Sequence, residues 1–142
     1  MKKEETQKAL KDANAKPKIL VLDDEKEIVD VFSMLMHQFH YNADFFVDGK
    51  TALDIIMKDP NRYQLIVSDI KMPKMDGIAF AKKIREIRPD LPIIFMTGYP
   101  SEEIKNEILK LNKVTFLEKP FHLETTFQEL IPKLLGQKGT GR

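Results

Sequence analysis

The stretch LIVSDIKMPKMDG, residues 65–77, decides the fold because a strand-like apolar run ends abruptly in a carboxylate. Asp69 ends the run, and a loop containing proline and glycine then leads into a helical pattern. In parallel α/β sheets, ligands bind just beyond the carboxyl ends of the strands. A carboxylate in that position can act as a nucleophile and carry a covalent intermediate. Asp69 is therefore the leading candidate for a functional residue.

Three other strand-like runs also end in polar or charged residues. They are KILVL at 18–22, followed by Asp23 and Asp24; PIIFM at 92–96, followed by Thr97 and Gly98; and VTFLE at 114–118, followed by Lys119 and Pro120. Because the carboxyl ends of parallel strands share one edge of a sheet, three carboxylates, a hydroxyl and an amine can converge there.

Such a set of side chains suits phosphoryl transfer. Three neighbouring carboxylates repel one another unless a cation lies among them, and Mg²⁺ prefers oxygen ligands and commonly bridges to a phosphate. Phosphoryl transfer depends on positioning and charge neutralisation. We expect Asp69 to attack and form an aspartyl phosphate, while Thr97 hydrogen-bonds one phosphoryl oxygen and Lys119 neutralises another. Gly98 leaves room for the phosphoryl group.

Strand-like and helix-like segments alternate along the chain, which predicts an α/β fold with a parallel sheet. A further strand is expected near 42–47. We expect five helices. The first covers 25–38, the second is capped by Asp48 and ends at Asp59-Pro60, and the third is capped by Asp76 and ends at Arg88-Pro89. Ser101 begins the fourth, and Pro132 kinks the last.

Composition is that of an ordinary globular domain. The chain has 142 residues, a net charge of +1, 42% hydrophobic residues and no cysteine. This balance gives no field that would draw the chain to nucleic acid or an anionic membrane, and it excludes disulfides. We expect a polar tail at 1–16, one domain at 17–136, a disordered tail at 137–142, no signal peptide or membrane span, and a cytoplasmic location.

The order of these motifs resembles that of the receiver domain of two-component response regulators, the family that includes the single-domain chemotaxis regulator. The resemblance extends from Lys18 to Leu135. It implies a doubly wound, flavodoxin-like fold: a five-stranded parallel sheet in the order 2-1-3-4-5, with helices on both faces.

The resemblance also assigns a role to individual residues. Asp23 and Asp24 match the acidic pair of the metal site, and Asp69 matches the phosphoacceptor and third acidic ligand. The remaining positions are Lys71, whose backbone carbonyl would bind the metal, Thr97 and Phe116, which match the switch residues, and Lys119, which matches the lysine at the phosphoryl group.

By this resemblance the chain is a phosphorylation-dependent switch rather than an enzyme. It would accept a phosphoryl group on Asp69 from a histidine kinase or a histidine phosphotransfer protein, with Mg²⁺ as cofactor. Its output would pass through the surface of helix 4, strand 5 and helix 5 to a downstream protein or output domain, and a homodimer can form on phosphorylation. No contact with nucleic acid or membrane is expected.

Two other classes of function compete with this interpretation. A haloacid-dehalogenase-like phosphatase wants an Asp-x-Asp motif after its first strand, and Asp23-Asp24 lacks that spacing. A flavodoxin-like FMN binder needs a phosphate loop rich in Ser, Thr and Gly at the same place, where Asp23-Asp24-Glu25 would repel phosphate. The histidines His37, His40 and His122 have no metal-ligand spacing and are expected at the surface.

Overall fold

The computed structural model describes residues 17–70, 75–98, 101–118 and 125–136. Strands and helices alternate through these ranges, as the sequence predicts. The strands are β1 (Lys18–Leu22), β2 (Asn42–Phe46), β3 (Leu65–Asp69), β4 (Ile93–Thr97) and β5 (Val114–Glu118). The helices are α1 (Lys26–Gln38), α2 (Gly49–Lys58), α3 (Gly77–Ile87), α4 (Glu102–Leu109) and α5, which joins a π-helical turn (Thr126–Leu130) to an α-helical turn (Ile131–Leu134).

All strand pairs are parallel, and the sheet order is β2-β1-β3-β4-β5. The predicted order is therefore confirmed. The strand that follows β1 in the sequence, β2, lies on one side of β1, and the next strand, β3, lies on its other side. Sheets of this kind have a crevice where the direction reverses, at the carboxyl ends of the strands. Here that crevice lies between β1 and β3.

Alternate side chains of each strand enter two separate apolar cores, one on each face of the sheet. One core joins the sheet to α2, α3 and α4, and the other joins it to α1 and α5. Strands β1, β3 and β4 are buried almost completely. Burial on both faces explains why these strands are continuous apolar runs instead of alternating ones.

Three of the predicted helix caps are confirmed. Asp48 accepts a hydrogen bond from the Thr51 N–H at 2.8 Å, and Asp76 accepts one from the Ala79 N–H at 2.8 Å. Ser101 accepts one from the Ile104 N–H at 3.1 Å. Each oxygen satisfies a backbone donor that has no partner within its helix.

The disturbance expected at Pro132 takes the form of a π-helical turn. The Ile131 N–H donates to the carbonyl of Thr126, five residues back instead of four. Since proline has no N–H, the normal hydrogen-bond ladder cannot continue through residue 132. The wider turn also leaves Phe127 and Ile131 buried in the core beside α1.

The expected tails at 1–16 and 137–142 lie outside the described residues. No helix within the described ranges has the length and apolar content that crossing a bilayer requires.

Candidate functional site

The strand register brings the predicted acids together at the reversal point of the sheet. Leu22 of β1 pairs with Ser68 of β3, so Asp23 and Asp69 each lie one residue beyond a paired position. One carboxylate oxygen from each of Asp23, Asp24 and Asp69 lies within 4.8 Å of the other two. The sheet order and the sequence positions of these residues are sufficient to build this cluster.

Asp23 connects three elements at the base of the cluster. Its side chain is fully buried, and its Oδ1 accepts a hydrogen bond from the Glu25 N–H at 2.8 Å. Its own N–H donates to the carbonyl of Phe46 at 3.0 Å, at the end of β2. These contacts hold the turn between β1 and α1 in place, and the carboxylate is fixed with it.

The cluster is open to solution on one side. Asp24 is exposed, whereas Asp69 is only 8% exposed. The Asp69 carbonyl accepts a hydrogen bond from the Ser68 hydroxyl at 2.8 Å. A ligand can therefore reach the carboxylates from solvent, while the chain that carries Asp69 is held from within the sheet.

Thr97 lies at the same edge, one residue beyond Met96, which pairs with Asp69. Its side chain is 5% exposed. Beside it, a Cβ placed on Gly98 would meet none of the described atoms within 4 Å, so the described residues leave open space next to the threonine. Phe116 is half-buried on β5, where it pairs with Phe95.

Two of the predicted site residues, Lys71 and Lys119, lie outside the described residues, as does Pro120. Among the others, Asp23, Asp24 and Asp69 form a compact oxygen-rich set. Three carboxylates, one of them exposed, offer the hard oxygen donors and the negative charge that Mg²⁺ prefers. The residues present therefore fit a magnesium ion.

From the sequence alone, Gly77 is only the glycine of the loop after Asp69, directly after the helix-capping Asp76. The structure places it against the backbone of Asp69 and Ile70, where a Cβ would approach within 2.8 Å of the Ile70 Cα. These contacts join Gly77 to residues seven and eight positions earlier in the chain, and the Asp-Gly dipeptide itself gives no sign of them.

Comparison with known proteins agrees with this geometry. Residues 19–131 match the family model of the response regulator receiver domain. The response regulator receiver protein CpdR of Brucella abortus is 30% identical over 118 residues, which are 83% of this chain and 97% of that protein. Four further curated relatives are longer, and the chain covers between 26% and 54% of their length.

Solved structures give the same result. The Vibrio cholerae chemotaxis protein CheY4 is 32% identical with a TM-score of 0.72, over 82% of this chain and 98% of that one. The receiver domain of the sensor histidine kinase PA1611 from Pseudomonas aeruginosa, at 23% identity, shows the fold alone, with a TM-score of 0.75 over 87% of this chain and all of its own. The family match covers most of the chain and agrees with the sheet order, and the chain therefore belongs to the response regulator receiver domain family.

Proposed function

We propose that this receiver domain accepts a phosphoryl group on the carboxylate of Asp69 and changes its surface in response. The observation that carries the proposal is the cluster of Asp23, Asp24 and Asp69 at the reversal point of the sheet, with oxygens within 4.8 Å. Asp69 is the member that ends the central strand, between the acidic pair after β1 and Thr97 at the end of β4.

In the proposed reaction, an Asp69 oxygen attacks the phosphorus of a phosphohistidine on a histidine kinase or histidine phosphotransfer protein. The new O–P bond forms as the P–N bond breaks, and the imidazole leaves with its electron pair. Mg²⁺, when bound, would offset the negative charge on the phosphoryl oxygens. The PA1611 receiver domain has a magnesium ion coordinated in its active-site cleft, which supports the same cofactor here.

The residues of this chain divide the remaining work. Asp24 and Asp69 would hold the metal directly and Asp23 mainly through water, with the Lys71 carbonyl as a further ligand. Thr97 would hydrogen-bond a phosphoryl oxygen from the adjacent strand, and Lys119 would pair with another as a fixed positive charge. These groups assist the phosphorylation of their own chain, so we propose a switch and not an enzyme with turnover on other molecules.

The response would begin at Thr97 and Phe116. Movement of Thr97 toward the phosphoryl group would leave space that the half-buried Phe116 ring fills. The exposed face of α4, β5 and α5 would change as a result, which is a local charge event with a wider readout. We propose that a downstream protein or an output domain reads this face, or that a second copy of the chain pairs with it.

Acetyl phosphate with Mg²⁺ tests the assignment, because this donor requires no partner protein. We expect intact-mass spectrometry to show one added phosphoryl group on the parent and none on Asp69→Asn. Asp54→Asn is the matched control, since Asp54 is an exposed aspartate on α2. Undiminished labelling of Asp69→Asn would remove Asp69 from this role, and an unlabelled parent would contradict the proposed function.

A further inference from the structure

The first residue of α3 lies directly against the backbone that carries Asp69. A Cβ on Gly77 would lie 2.8 Å from the Ile70 Cα and 2.9 Å from the Asp69 carbonyl oxygen. Atoms that are not bonded to each other do not lie this close, so with a side chain at residue 77 either the start of α3 or the backbone of residues 69–70 would have to move. Both neighbouring atoms belong to the backbone, and no side-chain rotation can relieve the overlap.

Hydrogen bonds hold the same segment on both sides. The Gly77 N–H donates to the Ile70 carbonyl at 2.6 Å, and the Ile70 N–H donates to the Met96 carbonyl of β4 at 3.2 Å. The residue that follows Asp69 is therefore held between a helix and a strand. A displacement of Ile70 would move Asp69 with it, because the two residues share a peptide unit.

The direction of the Asp69 carboxylate matters for metal binding. Mg²⁺ requires near-octahedral geometry with oxygens at about 2.0–2.1 Å. A shift of a few tenths of an ångström in Asp69 relative to Asp23 and Asp24 is large on that scale. Positioning of the backbone is thus coupled to the affinity of the site.

We propose that Gly77 is a positioning residue for Asp69: its missing side chain and its N–H together fix the backbone from which the Asp69 carboxylate projects. This inference rests on the proposed function of Asp69. Gly77 acts through Ile70 and the Asp69 carbonyl, and it has no part in the chemistry itself.

Gly49 provides a matched comparison within the same chain. It is also a buried glycine at the first position of a helix, and it also follows an aspartate that caps that helix. The described atoms nearest to its Cβ, however, would be those of the Met75 side chain, at 3.4 Å, an ordinary van der Waals contact with a flexible group. If the two glycines served only to begin helices, alanine at either position would have the same effect.

We expect Gly77→Ala to lower Mg²⁺ affinity by roughly tenfold or more, whereas Gly49→Ala should change it by less than about twofold. Titration of the unphosphorylated proteins, followed by NMR, measures both affinities and also shows whether each variant is folded. In Gly77→Ala the largest amide shifts should fall at residues 68–70 and 96. Equal Mg²⁺ affinities for the two folded variants would overturn the proposal.

If Gly77→Ala does not fold, amide hydrogen exchange in the parent tests the proposal instead. The first N–H groups of a helix have no acceptor within that helix. The hydrogen bond to the Ile70 carbonyl is therefore what should protect the Gly77 amide, and we expect this amide to exchange at least about tenfold more slowly than a free peptide. Exchange at the free-peptide rate would overturn the proposal. Neither the Mg²⁺ titration nor hydrogen exchange requires phosphorylation. If acetyl phosphate does not label the parent, the proposed function is contradicted, but these two measurements still test the role of Gly77.

Discussion

At the scale of single residues, burial separates the parts of the site. Asp23 is fully buried and fixed by backbone contacts, whereas Asp24 in the next position is exposed. Asp69 lies between these extremes. This gradient provides one rigid carboxylate at the base of the cluster and one adaptable carboxylate at its mouth, an arrangement suited to a cation that enters from solution and keeps several of its waters.

Thr97 allows a test of whether binding and response can be separated. Thr97→Ala removes the hydroxyl but leaves the strand backbone and the acids in place. We expect this variant to bind Mg²⁺ like the parent, while beryllofluoride should produce much smaller NMR shifts on α4 and β5. Thr97→Ser keeps the hydroxyl and should restore most of the response. Parent-like shifts in Thr97→Ala would remove its hydroxyl from the response.

Tyr63 provides a pH-dependent prediction at the opposite end of β3. Burial, together with the hydrogen bond that its hydroxyl donates to Asp44 at 2.6 Å, raises the pKa of Tyr63 to about 12 from 10.0. The folded state favours the neutral phenol, so this stabilisation is complete below pH 10 and is lost as pH rises from 10 to 12. Urea unfolding should show a smaller loss of stability over that range in Tyr63→Phe than in the parent. An identical pH dependence would contradict this role.

Single residues also show where the sequence was sufficient. Asp23, Asp24, Asp69 and Thr97 could be placed together from sequence because each directly follows or ends a recognisable strand, and parallel pairing does the rest. The contact of Gly77 with Ile70 could not, since it depends on the angle at which α3 approaches the sheet. No local pattern encodes that angle.

At the scale of elements, α3 and the loop between α4 and β5 are joined by one side chain. Arg85 donates to the carbonyls of Asn112 at 2.7 Å, Lys113 at 3.1 Å and Arg88 at 3.0 Å. Lys113 has a φ of 55°, in the region that favours glycine. The guanidinium therefore helps to hold a loop whose backbone conformation is unfavourable by itself.

We expect Arg85→Ala to lower the free energy of unfolding by about 1.5–3 kcal/mol, the usual range for hydrogen bonds that involve a charged group. Arg85→Lys should recover little, because an ammonium group cannot reproduce the planar array of donors. Lys83→Ala, at an exposed position on the same helix, is the control. Urea unfolding measures the loss, and equal stability of the Arg85→Ala and Lys83→Ala variants would show that the three bonds contribute nothing.

The end of the chain shows how far sequence reasoning reaches for an element. The lack of an N–H on Pro132 predicts an interrupted helix, and the structure has one. The form of the interruption, a π-helical turn over Thr126–Leu130, depends on tertiary packing. The Phe127 ring packs at a tilt against the rings of Phe32 and Phe39, with ring centroids 5.7 and 5.5 Å away. The wider turn keeps the ring in that position while the helix continues.

At the scale of the whole molecule, repulsion among the three carboxylates of the site opposes folding. Two of the most completely buried strands, β1 and β3, deliver like charges to a single edge of the sheet. Folding therefore brings the carboxylate of Asp69 against those of Asp23 and Asp24, although Asp69 is distant from this pair in the sequence. Such local costs are characteristic of functional sites and are offset by the packing around them.

This conflict predicts that Mg²⁺ reverses the stability order of two proteins. Asp24→Asn removes one exposed charge from the cluster and leaves the cores untouched. Without Mg²⁺ it should be more stable than the parent by up to roughly 1 kcal/mol, the repulsion expected near 5 Å in a largely aqueous setting. Mg²⁺ that binds only the folded state stabilises the parent by about 2.7 kcal/mol at one hundred times its dissociation constant, and the variant should gain far less.

Urea unfolding of both proteins, with EDTA and then across a Mg²⁺ titration at constant ionic strength, measures the two effects together. The curves of stability against Mg²⁺ concentration should cross, since the variant begins higher and the parent rises faster. Asp54→Asn, an exposed aspartate outside the cluster, should follow the parent throughout. Parallel curves for the parent and Asp24→Asn would mean that Asp24 does not bind the ion. A parent that is already the more stable protein in EDTA would mean that repulsion within the cluster does not limit this fold.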